Sequence, residues 1–179
     1  MTDDGGDAAT ETTPIPEAVV AAFDDHDAFT ERDGAFATET TVCEATATVA
    51  PTDGDRAGAF TVTVTVPTID VAAADEVGAA VADGWYETFA LRVGDAFDVA
   101  KTSDVDEPSV ERAGGVVTAT FTYRSWRAED GVADAKALVD YVEGTYLQGV
   151  VPGYEYEEPV ASLVSQAAER GGGEGGPPL

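Results

Sequence analysis

The stretch Phe60-Thr61-Val62-Thr63-Val64-Thr65-Val66 alternates without a fault. Phe60, Val62, Val64 and Val66 fall on one face, and Thr61, Thr63 and Thr65 on the other. Period two, with one apolar and one threonine face, predicts a half-buried antiparallel strand. Pro67 closes it, because proline has no amide for the ladder.

The same pattern recurs on both sides. Upstream, Cys43, Ala45, Ala47 and Val49 alternate with Glu44, Thr46 and Thr48, and Pro51-Thr52-Asp53-Gly54-Asp55 makes a turn. A shorter strand is expected over 35–39. Downstream, residues 108–112, the turn Ala113-Gly114-Gly115, and residues 116–124 read as a hairpin. There Val117, Ala119, Phe121 and Tyr123 share a face opposite Thr118, Thr120 and Thr122. A threonine face in three strands implies one continuous sheet with one side in water.

Helices fill the rest. Pro14-Ile15-Pro16-Glu17 opens the first, with Val19, Val20 and Phe23 on its apolar side, and it is expected to end near Asp27, before Arg32-Asp33-Gly34. Val77, Val81, Trp85, Phe89 and Val93 recur at i+4 spacing and predict a long helix over 71–97, with a kink possible at Gly84. A third helix is expected over 128–148, with Ala135, Leu138, Val142 and Tyr146 inward, and a last one from Pro159. The expected class is α+β: a two-layer, twisted antiparallel sheet of about five strands with helices on its apolar face, in the order α-β-β-β-α-β-β-α-α. Residues 14–170 are expected to form one domain, between a disordered acidic leader (1–13) and a flexible Gly/Pro tail (171–179).

Charge narrows the company this chain keeps. Among 179 residues, 9 Lys+Arg face 35 Asp+Glu, a net charge of −26. Only two of the cations, Lys101 and Lys136, are lysines. Spread over the roughly 8,000 Å² of a monomer of this mass, the acids lie on the order of 15 Å apart. The screening length is about 10 Å in 0.1 M salt and about 3 Å at 1 M, so these charges repel in dilute salt and scarcely interact in concentrated salt. Such a composition points to a salt-rich cytoplasm. Phosphate backbones and anionic lipid surfaces are disfavoured partners. No stretch approaches the roughly 18–20 apolar residues of a membrane span, and the acidic start is unlike a signal peptide.

Catalytic chemistry is not legible. Asp24-Asp25-His26-Asp27 holds four potential ligands in a row, but adjacent helix positions do not face one another, and His26 is the only histidine. No metal and no cofactor is therefore expected. The lone Cys43 sits on an apolar strand face and reads as an inert thiol. The Gly114-Gly115 turn joins two strands with no helix to receive a phosphate. Glu143, Glu155, Glu157 and Glu158 are the best-placed carboxylates for acid/base work, and nothing in the pattern pairs them.

The distinctive stretch runs over 141–159, where four of the six tyrosines gather with glycines and prolines. Tyrosines give rigid contact area with a polar tip, which suits a groove or interface; they suit equally a packed helix corner. Trp85 and Tyr86 carry the same alternatives of core, dimer seam or ligand contact. The candidate partner or ligand surface is thus Trp85, Tyr86, Tyr146, Gln148, Tyr154 and Tyr156.

The segments Asp83-Gly84-Trp85-Tyr86-Glu87-Thr88, Asp134-Ala135-Lys136-Ala137-Leu138-Val139, and Tyr141-Val142-Glu143-Gly144-Thr145-Tyr146 through Pro152-Gly153-Tyr154-Glu155-Tyr156 resemble a family of small haloarchaeal proteins carrying a domain of unknown function. That likeness implies no catalytic residue. The element order is similar to the type III secretion chaperone-like fold, by analogy of order alone. Two functions fit: a cytoplasmic, non-enzymatic binding or adaptor module capable of self-association, or a small-ligand-binding protein or weak enzyme with a tyrosine-lined pocket near 146–156.

Overall fold

A computed structural model of the chain describes residues 14–172. The leader expected over 1–13 and most of the expected tail lie outside those residues. The elements are α1 (Glu17–Asp24), β1 (Thr30–Arg32), β2 (Ala35–Glu39), β3 (Glu44–Ala50), β4 (Gly58–Pro67), α2 (Ile69–Ala72), α3 (Ala79–Val93), a 3-10 turn (Ala96–Val99), β5 (Ser109–Ala113), β6 (Val116–Ser125), α4 (Ala128–Gly149) and α5 (Val160–Gly172). The strands form one antiparallel sheet in the order β1-β2-β3-β4-β6-β5. The class is the expected α+β, with six strands rather than about five.

The alternation decides which side is roofed. Phe60, Val62, Val64 and Val66 of β4 and Val117, Ala119, Phe121 and Tyr123 of β6 are all at most 1% exposed. The threonines between them are half-buried on the other face. α4 lies over β4 and β6 and touches α1 and α3 as well. Val132, Ala135, Leu138, Val139, Val142 and Tyr146 descend from it into the core. The Phe60 and Tyr123 rings stack at 5.2 Å, and Phe23 of α1 stacks on Phe36 at 3.9 Å.

Two buried polar contacts fix α4. Tyr123 donates its hydroxyl to the Gly131 carbonyl at 2.6 Å. Asp134, 2% exposed, accepts the backbone amides of Lys101 at 2.7 Å and Thr102 at 3.1 Å. A buried carboxylate is tolerated when amides satisfy it, and these tie the loop after the 3-10 turn to the helix. That loop then runs alongside β6: the Asp106 amide donates to Thr122 O, and the Arg124 amide to Asp104 O.

Three expectations change in detail. The sixth strand, β1, pairs with β2 through a two-residue turn at Asp33 (φ 51) and Gly34 (φ 79), both left-handed as a type I′ hairpin requires. Accordingly α1 stops at Asp24 rather than near Asp27. The long helix expected over 71–97 is three pieces, α2, α3 and the 3-10 turn, and the break falls between Ala73 and Gly78. Gly84 causes no kink, and α3 runs through it.

Candidate functional site

Helix α3 presents Val81, Gly84, Trp85, Thr88, Phe89 and Arg92 along one side, spaced i, i+3, i+4, i+7, i+8 and i+11, as one helical face requires. The last turns of α4 bring Thr145 and Gly149 opposite, and Val151 follows. Together they enclose a groove of about 210 Å³. Its floor is aromatic: Trp85 stacks on Phe89 at 5.1 Å, and Tyr146 meets Trp85 edge-on at 5.6 Å.

Two polar atoms in this floor lack partners. Trp85 is 6% exposed, and its Nε1 has no acceptor; Tyr146 is fully buried, and its hydroxyl is likewise unpaired. Gly149 lets the helix end approach the indole: a Cβ there would stand 3.3 Å from Trp85 Nε1. The indole N–H can only donate, so it can be satisfied only by an acceptor brought to it. Burial also raises the Tyr146 phenol well above its ordinary pKa, so it stays protonated.

The six candidate residues are placed in three settings. Trp85 and Tyr146 meet in the groove floor, and exposed Gln148 stands near the rim, its Oε1 3.5 Å from Arg92 Nη1. Tyr86 turns the other way. It is half-buried against β5, donating to Val110 O at 3.2 Å, with the Arg112 guanidinium 4.7 Å over its ring and bonded to Asp83 at 2.8 Å. Tyr156 donates its hydroxyl to Val151 O, and its backbone bridges Ala73, while Glu155 and Glu157 pair with Ala74 and Ala72. Tyr154 is half-buried in that strap. The groove therefore gains Thr88, Arg92, Thr145 and Gly149, which carry no motif. Only the i+3 and i+7 spacing of Thr88 and Arg92 from Trp85 signals the first two, and nothing local signals Thr145 and Gly149.

The other candidates for chemistry hold structural posts. Cys43 is 1% exposed, and burial pushes its thiol up to about 12. His26 accepts the Ala28 amide through Nδ1 at 3.3 Å, closing the end of α1. Glu143 accepts the Val42 amide at 3.3 Å, and Glu158 accepts the Ser162 amide at 3.2 Å. Among the described residues no group of three or more His, Cys, Asp or Glu could hold a metal ion. No helix among them is long and apolar enough to cross a membrane.

A second feature lies beyond α3, at the end of β6. Trp126 is 64% exposed, with the Arg56 guanidinium 4.1 Å over its ring. Arg56 pairs with Asp104, and Arg124 forks onto Asp106 with both contacts at 3.1 Å. Cations are scarce in this chain, and here they are consumed by neighbouring carboxylates.

Compared with known proteins, residues 24–166 match the model of a family of unknown function (DUF5813). No curated protein and no solved structure matches the chain.

Proposed function

We propose that this chain, which belongs to that family of unknown function, is a non-enzymatic binding module that docks a protein partner in the groove between α3 and the end of α4. The observation that carries the reading is the buried, unpartnered Trp85 N–H in the groove floor. Leaving such a donor unsatisfied costs about 1–3 kcal/mol. A backbone carbonyl presented by an occupant relieves that cost. At about 210 Å³ the groove falls below the roughly 300–1,000 Å³ of ordinary small-molecule sites. It suits one apolar side chain inserted with its own carbonyl. Phe89 and Val81 supply the apolar wall, and Arg92 and Thr88 the polar rim.

A tyrosine-lined ligand pocket or weak enzyme near 146–156 has less support. Tyr146 is packed into the core, and Tyr156 spends its hydroxyl on Val151. The charge of −26 and the two lysines support residence in a salt-rich cytoplasm, as in haloarchaea.

The probe is N-acetyl-leucinamide, which offers one apolar side chain and two carbonyl acceptors. In a ¹H–¹⁵N spectrum at high salt the chain is expected to show two indole N–H signals, from Trp85 and exposed Trp126. Addition of the probe is expected to shift Trp85 saturably and leave Trp126 in place, and a Gly149→Val substitution is expected to abolish the shift. A Trp85 signal unmoved at millimolar probe overturns the reading.

A further inference from the structure

We infer that the open face of the sheet is a self-association surface, which seats a second copy of this chain sheet against sheet. In a chain with 35 acids, that face carries an unbroken uncharged row across all six strands: Thr30, Ala37, Thr46, Thr63, Thr120 and Ser109, each paired with the next by register. A second uncharged row, Thr48, Thr61 and Thr122, runs beside it. Charge stands around these rows, at Arg32, Glu39, Glu44 and Glu111, and beside β6 where Arg124 pairs with Asp104 and Asp106. The face is also hollowed rather than flat near β2 and β3, with a depression of about 400 Å³ that reaches Ala37, Thr46 and Thr65 and is rimmed by Arg32, Asp33, Glu39 and Glu44.

Charge selects the occupant. Two copies each carrying −26 repel wherever carboxylates meet carboxylates, and like-charge juxtaposition costs several kcal/mol. The neutral rows are where the chain can meet itself with least of that cost. A basic partner gains nothing from the neutral rows and is drawn instead to the carboxylates around them and on the helices. Threonine suits a two-fold contact because each hydroxyl both donates and accepts, so identical surfaces complement one another. The area suffices as well. Six strands spaced about 4.8 Å apart span ~24 Å, and seven residues at about 3.4 Å span a similar length. Two whole faces, their charged margins included, bury about 1,200 Å² in total, the lower bound of a standard interface. This surface lies on the opposite side of the sheet from the α3/α4 groove and does not depend on it.

The test is sedimentation velocity of the full chain in about 2 M potassium chloride, where screening is short-ranged. The expected species has twice the chain mass of 18.4 kDa and dissociates on dilution into low salt. Thr63→Glu and Thr120→Glu are expected to weaken it about a hundredfold or more, while Gln166→Glu, which adds the same charge on α5, leaves it intact. Should the glutamate variants misfold, Thr63→Cys reports instead. Cys43 is buried, so a flexible bismaleimide is expected to link Thr63→Cys into a covalent dimer in high salt and to leave Gln166→Cys unlinked. A monomeric wild type, glutamate variants that associate as well as wild type, or no covalent dimer from Thr63→Cys overturns the inference.

Discussion

Cys43 sits where β2 hands over to β3, its thiol under the edge of α4. Burial is the main reason its pKa rises from 9.0 to about 12, and the Glu143 and Asp140 carboxylates add to it against a bond from Thr40. In the unfolded chain the thiol ionises near 9.0. The native state therefore binds more protons between about 9 and about 12. Stability from this group is complete below that window and falls as pH rises through it, by about 1.4 kcal/mol per unit. Urea titrations at rising pH are expected to show wild type losing stability faster than Cys43→Ala above the thiol's ordinary range. Parallel curves would refute the assignment. The thiol is likewise expected to stay silent to thiol reagents until the chain unfolds.

At the scale of elements, two glycines in helices give opposite outcomes for the same substitution. A Cβ on Gly131 of α4 would lie 2.3 Å from Phe60 Cζ, and that ring is held by its stack on Tyr123. Gly131→Ala is expected to cost about 1–3 kcal/mol through overpacking. Gly84 of α3 has nothing within 4 Å of its would-be Cβ. Gly84→Ala is expected to stabilise by up to about 1 kcal/mol, the helix propensity difference, while narrowing the groove and weakening the leucinamide response. Thermal melts of the two variants decide both signs.

The same elements show what was legible in the sequence. Strands β3, β4 and β6 could be read because period two is a local signal: Phe60 to Val66 declares both faces without knowledge of any neighbour. Strand β1 could not. Thr30-Glu31-Arg32 is exposed at every position and has no apolar alternation. Its real signature, Asp33-Gly34, was indistinguishable from a helix stop. The run of apolar residues at i+4 was correctly helical from Val81 onward, but Val77 belongs to the linker before α3, where the chain leaves to meet Glu155–Glu157. Gly84 costs α3 about 1 kcal/mol of propensity, which the burial of Trp85, Phe89 and Val93 outweighs, so the helix runs on. The groove was only half visible. Trp85 and Tyr146 announce themselves as large aromatics, whereas Thr88, Arg92 and Gly149 matter through an encounter between helices some sixty residues apart in the chain, which no local pattern encodes.

For the whole molecule the decisive quantity is the imbalance of charge. The described ion pairs occupy seven of the nine cations: Arg32, Arg56, Lys101, Arg112, Arg124, Arg127 and Lys136. Most carboxylates must find counter-ions in the solvent. The melting temperature is expected to rise between about 0.1 M and about 2 M potassium chloride as the screening length shrinks. Equal melting temperatures would remove the salt-dependent account. The distribution of charge has a further consequence. Exposed carboxylates stand along the helical roof, at Glu17, Asp24, Asp83, Glu87, Glu129 and Asp140, while the threonine rows of the sheet's other face are neutral. On a cationic support it should settle roof-down, leaving its hydroxyl-covered underside turned away from the surface and free to be met.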